Sequence, residues 1–164
     1  KNQDLLIRAF AKHIQKTADK LSHLTLPGDG ELKGDMQALV ESLHIADRVS
    51  FPGLCSKKEV LQLYLNSNVG LVSSNSETFG QSIVEPFVLG RCVVSTHVGI
   101  ANDILEDGLN GFFFSTEEEL VRLLGHLYNN PKLIAKAGEA NYTKRAMFSW
   151  KGVTERYVQL IKGL

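Results

Sequence analysis

The sequence predicts an α/β fold, an open parallel sheet covered by helices on both faces. Three observations point to it. Short apolar runs alternate with longer stretches of helical periodicity along the whole chain. The short runs are continuously apolar rather than alternating, as strands buried on both faces are. Turns rich in Gly and Ser follow several of these runs, where a parallel sheet turns its loops toward a ligand. With 164 residues and 43% hydrophobic content, the chain reads as one domain over residues 1–164. That length buries about two-thirds of the surface an unfolded chain exposes.

The elements follow in order. Asp4 to about Lys20 carries Leu5, Leu6, Ala9, Phe10 and Ile14 at helical spacing, with Lys12 and Lys16 opposite. Leu21–Leu26 reads as a strand closed by Pro27-Gly28-Asp29-Gly30, and Glu31–Leu43 as a second helix with Gly34 near its start. A brief strand, Arg48–Phe51, ends at Pro52-Gly53. Ser56, with Glu59 three residues on, forms a capping box for a helix over Lys57–Asn66. The strand Asn68–Ser73 leads through a polar loop into a helix opened by Gly80-Gln81-Ser82, and Arg91–Ser95 is the next strand. A turn at Gly99 precedes a short helix, Ala101–Leu105, and Asp107-Gly108 and Asn110-Gly111 are turns before a strand at Gly111–Phe114. Thr116 caps a helix whose first turn holds Glu117, Glu118 and Glu119, read as a solvated helix start where negative charge suits the dipole. Helical stretches from Pro131 and from about Ser149 finish the chain.

Composition narrows the function. Lys and Arg number 18, as do Asp and Glu, so the basic excess of a nucleic-acid binder is missing. No apolar run approaches the roughly 20 residues of a membrane-spanning helix, and no signal peptide opens the chain, which predicts a cytoplasmic protein. Lys1 rather than Met comes first, so the chain reads as an excised piece of a longer protein. Cys55 and Cys92 lack CxxC or His spacing and read as two buried free thiols. His13, His44 and His126 fall within helical stretches and read as surface or packing residues, whereas His97 lies on a strand-end loop where a site could form. Gly28-Asp29-Gly30 lacks the third glycine of a dinucleotide fingerprint and reads as a turn whose glycines admit a ligand.

The stretch Ser73–Phe87 organises the rest. A strand running into small residues and a helix N-terminus offers free backbone N–H groups and the positive end of a helix dipole to an anion. Glu77 and Glu85 flank that turn. Two carboxylates are poor phosphate ligands but good acceptors for sugar hydroxyls on either side of a diphosphate. Eight positions along a helix span about 12 Å. That is too far for the carboxyl pair of a glycosidase, roughly 5 to 9.5 Å apart, but a suitable reach from a sugar to a ribose. Two solvated carboxylates at a helix start are the bland alternative, and spacing alone leaves it open.

An ordered set of motifs resembles a known family. Glu77-x7-Glu85 with Phe79-Gly80 between, the run Pro86–Thr96, Val98-Gly99, and Asp107-Gly108-x-Asn110-Gly111 are similar to the C-terminal, Rossmann-like half of retaining GT-B glycosyltransferases, family 4 above all. Asp4–Phe10, Asp47-Arg48-Val49-x-Phe51-x-Gly53 and Phe148-Ser149-Trp150 match in the same order. The resemblance implies a donor-binding domain that takes a nucleotide diphosphate-sugar, a UDP-sugar by the family's habit, and passes the sugar with retention to a glycan or lipid-linked acceptor. It implies that Glu85 accepts from the ribose hydroxyls and that Glu77 acts catalytically at the donor sugar. Phe79, Gly80 and Gln81 would meet sugar and diphosphate through backbone amides, and Lys1 the diphosphate. Phe51, Pro52, Gly53 and Gly28 would lie along the base.

Cationic side chains in place of a metal imply no metal and no cofactor beyond the donor itself. The partner arginine of Lys1 would precede residue 1. Acceptor site and opposite cleft wall would belong to an N-terminal domain, so the piece alone should bind donor weakly and be inactive. Relatives of this kind build surface polysaccharides at the inner membrane face, which implies a peripheral membrane contact for the full-length protein. Cys92 stands where the family commonly has proline, Asn2 where it has glycine, and Ile100–Asp103 replaces a Gly-x-Pro-Glu run. Asp103 keeps a carboxylate there. Other readings are a different GT-B enzyme, of epimerase or phosphorylase type (the latter without its pyridoxal-lysine signature), or a non-catalytic nucleotide-binding module.

Overall fold

The computed structural model describes residues 1–162; the last two positions of the expected 1–164 domain, Gly163 and Leu164, lie outside them. Strands and helices alternate as α1 (Gln3–Thr17), β1 (Leu24–Pro27), α2 (Lys33–Ser42), β2 (Val49–Gly53), α3 (Lys57–Leu65), β3 (Val69–Val72), α4 (Gln81–Val88), β4 (Cys92–Ser95), α5 (Ala101–Ile104) and β5 (Gly111–Phe113), followed by α6 (Glu117–Asn129), α7 (Pro131–Lys144) and α8 (Trp150–Lys162). Every strand pair is parallel. This is the expected α/β class.

Strand β4 shows why its sequence is uniformly apolar. Cys92 and Val94 point into a core shared with α1, α6 and α7, whereas Val93 joins a second core with Ile83 and Phe87 of α4 and with α5. Both faces of the sheet are therefore dry, and all four residues of β4 are buried.

The sheet is not the single ladder that was expected. β1 pairs only with β2, and β3-β4-β5 form a separate ladder. A cleft of about 1320 Å³ runs between β1 and β3. The larger core nevertheless continues beneath it, joining Leu24 and Leu26 of β1 to Val94 and Phe112 of the other ladder.

Two element boundaries moved for a physical reason. α1 stops at Thr17 instead of Lys20 because Ala18 turns left-handed, with φ 51°, and the Asp19 carboxylate accepts from the amides of Leu21 and Ser22 at 2.8 and 3.0 Å. Arg48 donates to the carbonyls of Asp19 and Ser22, so residues 19–22 form a fixed turn and β1 begins only at Leu24. His44 likewise lies past the end of α2 in a left-handed conformation rather than within it.

Glu117 corrects another expectation. It is not a solvated helix start: its carboxylate takes Arg8 at 2.9 Å and Lys12 at 2.6 Å and ties α6 to α1.

Candidate functional site

The strand order runs outward in both directions from the cleft, β1 to β2 on one side and β3 to β5 on the other. Open α/β sheets bind ligands at such a switch, outside the carboxyl ends of the strands. The residues singled out from the sequence gather at that end: Gly28 after β1, Phe51, Pro52 and Gly53 at the end of β2, Glu77, Phe79 and Gly80 after β3, Gln81 and Glu85 in α4, and Lys1 at the start of the chain.

The loop after β3 is built from its serines. The Ser73 hydroxyl donates to the carbonyls of Lys1 and Asn2 at 2.7 and 2.9 Å, holding the start of the chain against the end of β3. Ser74 donates to Glu77 Oε1 at 2.7 Å. Lys1 Nζ pairs with the same Glu77 oxygen. The ammonium of Lys1, and then the Ser74 hydroxyl, hold the Glu77 carboxyl below the usual range against a smaller opposing effect of burial. Glu77 is thus an anchored anion, its side chain only 13% exposed, and Lys1 is 63% exposed with donors left for a second anion.

Gly80 starts α4 at φ 100°, a left-handed conformation that suits glycine, and the eight-residue helix follows at once. The amides of Ile83 and Val84 return to the Gly80 carbonyl, whereas among the described residues no side chain caps this end. The amides of Gln81 and Ser82 are therefore left available, and Gln81 at the first position is exposed. Phe79 is half-exposed beside them. Gly99 braces the loop from behind: a Cβ there would come within 2.6 Å of the Phe79 carbonyl oxygen and 3.0 Å of Glu77 Cβ. The Ile100 amide donates to that same carbonyl at 2.9 Å.

Glu85 lies one and a half turns into α4, on the side facing α3. Burial raises its carboxyl above the usual range, with Lys57 at the start of α3 opposing. Its charge in turn adds to burial in pushing the Tyr64 phenol up to about 12. Lys57 and Tyr64 escaped the sequence reading, because nothing local marks them; only the packing of α3 on α4 brings them to Glu85.

The loops after β1 and β2 meet. The Gly28 amide donates to the Gly53 carbonyl at 2.7 Å, and both glycines are left-handed, at φ 127° and 79°. Pro52 is exposed on this rim. Phe51 lies inside β2 and is half-buried, packed in part against the main core. His97 lies past β4, stacked on Phe113 at 4.0 Å and joined to Asn102 at 3.2 Å. Cys92 is buried, as expected of both thiols, but Cys55 is half-buried, with Sγ 3.5 Å from the Gly53 carbonyl. Among the described residues no three His, Cys, Asp or Glu side chains cluster as metal ligands would, and no helix is long and apolar enough to cross a membrane.

Comparison with known proteins gives a consistent picture. The profile of the family described as "Glycosyl transferases group 1" matches residues 1–144. The alpha-monoglucosyldiacylglycerol synthase of Acholeplasma laidlawii is 29% identical over 129 residues, which cover 79% of this chain and 32% of that protein. The putative glycosyltransferase EpsD of Bacillus subtilis is 30% identical over 152 residues, 91% of this chain and 39% of EpsD. The chain thus spans about a third to two-fifths of the length of these curated relatives. Anabaena HepE, solved in complex with UDP, superposes over 100% of this chain and 46% of its own with a TM-score of 0.83 at 22% identity. That likeness establishes the fold.

Proposed function

Because the chain belongs to the glycosyl transferases group 1 family, we propose that it is the donor-binding half of a retaining glycosyltransferase that moves a sugar from a nucleotide diphosphate-sugar, a UDP-sugar, to a glycan or lipid-linked acceptor. The observation that carries the reading is the Lys1–Glu77–Ser74 cluster set against the uncapped start of α4.

The chemistry follows from that arrangement. Departure of a nucleoside diphosphate develops negative charge on the oxygen it takes with it. The Lys1 ammonium and the amides around Gly80 and Gln81 are fixed before reaction and stabilise that charge without reorganising. Glu77 is held ionised by Lys1, so it accepts hydrogen bonds from the sugar hydroxyls and orients the ring. Glu85 accepts from the ribose. The rim made by Gly28, Pro52 and Gly53 receives the base, where two left-handed glycines leave the backbone open to a flat ring. Attack on the same face as departure then gives retention. The acceptor site belongs to an N-terminal domain, and polysaccharide assembly at the inner face of the membrane is the setting we assign to the full-length enzyme.

A donor screen on the full-length protein tests this, with UDP-, GDP- and ADP-sugars and mass detection of the product. Transfer from a UDP-sugar with the donor's anomeric configuration kept is the expected result. Absence of nucleotide binding in the full-length protein would sink it and favour a non-catalytic module.

A further inference from the structure

Helix α4 carries a proline at an interior position that proline normally disrupts. Pro86 is the sixth residue of the helix and is fully buried. Its ring nitrogen has no hydrogen to give the carbonyl four residues back, so that carbonyl loses its helical donor. The carbonyl is that of Ser82, one turn before Glu85. A carbonyl left without a donor away from water destabilises the fold. Tyr64 of α3 replaces the missing donor: its hydroxyl lies 3.4 Å from the Ser82 carbonyl oxygen and donates to it.

The surroundings fit this replacement. A Cβ at Gly70 of β3 would come within 2.7 Å of Pro86 Cβ and 3.6 Å of Tyr64 Cε1. The absence of a side chain there lets the proline ring and the phenol share one seat on the strand. Ser82 and Glu85 are three residues apart and so are neighbours on the helix surface. Tyr64 feels the charge of Glu85, yet its hydrogen bond goes to the carbonyl rather than to the carboxylate. With burial and that charge pushing the phenol up to about 12, Tyr64 keeps its proton at neutral pH and remains a donor.

We propose that Tyr64 is a positioning residue for Glu85: its hydroxyl supplies the hydrogen bond that Pro86 withholds from Ser82, and this fixes α4 in the orientation at which the Glu85 carboxylate meets the ribose. The inference rests on the donor-binding function proposed above and adds to it a residue that acts through the helix without touching the nucleotide. The amides of Gln81 and Ser82 are held from the other side, by the turn at Gly80 and the Gly99 brace. Loss of the Tyr64 bond therefore falls on the ribose end of the site.

A cycle of variants in the full-length protein tests this, titrated by calorimetry with UDP and with 2′,3′-dideoxy-UDP, which lacks the ribose hydroxyls. Tyr64→Phe keeps the ring and removes only the hydroxyl. It is expected to weaken UDP binding about fivefold and binding of the dideoxy analogue by less than about twofold. In the Pro86→Ala background the alanine restores the N–H that Ser82 lacks, so adding Tyr64→Phe is expected to change UDP affinity by less than about twofold. Amide exchange of α4, read by mass spectrometry without ligand, is expected to be about fivefold faster in Tyr64→Phe and restored in the double variant. Equal losses for UDP and the analogue overturn the proposal, as does the same Tyr64→Phe loss with and without Pro86→Ala, since Tyr64 would then act by packing or by direct contact. Should the unmodified protein bind neither nucleotide, the donor reading fails and the role at Glu85 fails with it. Unchanged α4 exchange in Tyr64→Phe, with UDP binding intact in the unmodified protein, overturns the role of Tyr64 alone.

Discussion

Glu85 sits where its charge is disfavoured, and that conflict separates its two roles. Burial raises its folded-state pKa, so the fold is favoured when Glu85 is protonated, and that contribution is lost as pH rises through the raised value. At neutral pH Glu85→Gln should raise Tm by about 2 °C at most, while Glu85→Ala weakens UDP binding about 10- to 100-fold by removing charge-assisted hydrogen bonds. Calorimetry with UDP and a thermal melt on the same variants read both. Glu77→Ala should lower kcat more than it lowers UDP affinity; the opposite pattern would reverse the roles given to the two acids. Asp19 behaves in the contrary sense. Burial works to raise its carboxyl, but hydrogen bonds from Ser22, Leu21 and His13 bring it down to about 2. Its stabilisation, on the order of 2 kcal/mol, is present above the ordinary aspartate value and lost as pH falls from about 4 through 2. Asp19→Asn should therefore destabilise at pH 7 and make little difference at pH 2, by chemical denaturation at each pH.

At the scale of elements, the loops are held by groups that reach across from their neighbours. Gly99 stands behind the loop of Glu77 and Phe79 at φ 48°, and an added methyl meets backbone rather than a flexible side chain. Gly99→Ala should cost about 1–3 kcal/mol and reduce UDP affinity by displacing Phe79 and Gly80, measured by melting and titration together. Asn141 of α7 is fully buried and donates to the carbonyls of Arg91 and Asn110 at 2.8 and 2.7 Å. Asn141→Leu strands both carbonyls and should cost about 2–3 kcal/mol with UDP affinity per folded molecule unchanged.

The elements were legible in the sequence wherever local chemistry decides them. Ser56-x-x-Glu59 and Thr116-x-x-Glu119 both form the capping boxes their spacing announces. The apolar Cys92–Ser95 run forms the central strand. Glu77, Phe79, Gly80 and Gln81 are brought together as adjacent residues must be. What stayed hidden depends on contacts between distant segments. Nothing near Glu117 in sequence signals Arg8 and Lys12, and nothing near Glu85 signals Lys57 and Tyr64. The early end of α1 follows from Arg48, nearly thirty residues away. The break between β1 and β3 was invisible because each strand reads normally by itself.

At the scale of the whole molecule, the proposed function assigns this domain one wall of the donor cleft. Isolated 1–164 should bind UDP measurably in a titration yet show no transfer by mass detection, while the full-length protein does both; turnover by the isolated domain would mean that the acceptor site lies within it. Of the exposed apolar residues of α8, Trp150, Tyr157 and Ile161 are spaced to share one helical face.

The two cysteines differ in a way that has a practical consequence. Burial pushes the Cys92 thiol up to about 12, so it offers almost no thiolate and resists alkylation. Cys55 is reachable and sits against Gly53, on the rim assigned to the base. A maleimide dye should therefore label this domain at one position without any engineered change. Its emission should then change when UDP is added if the base arrives on this rim, turning the native sequence into its own optical sensor.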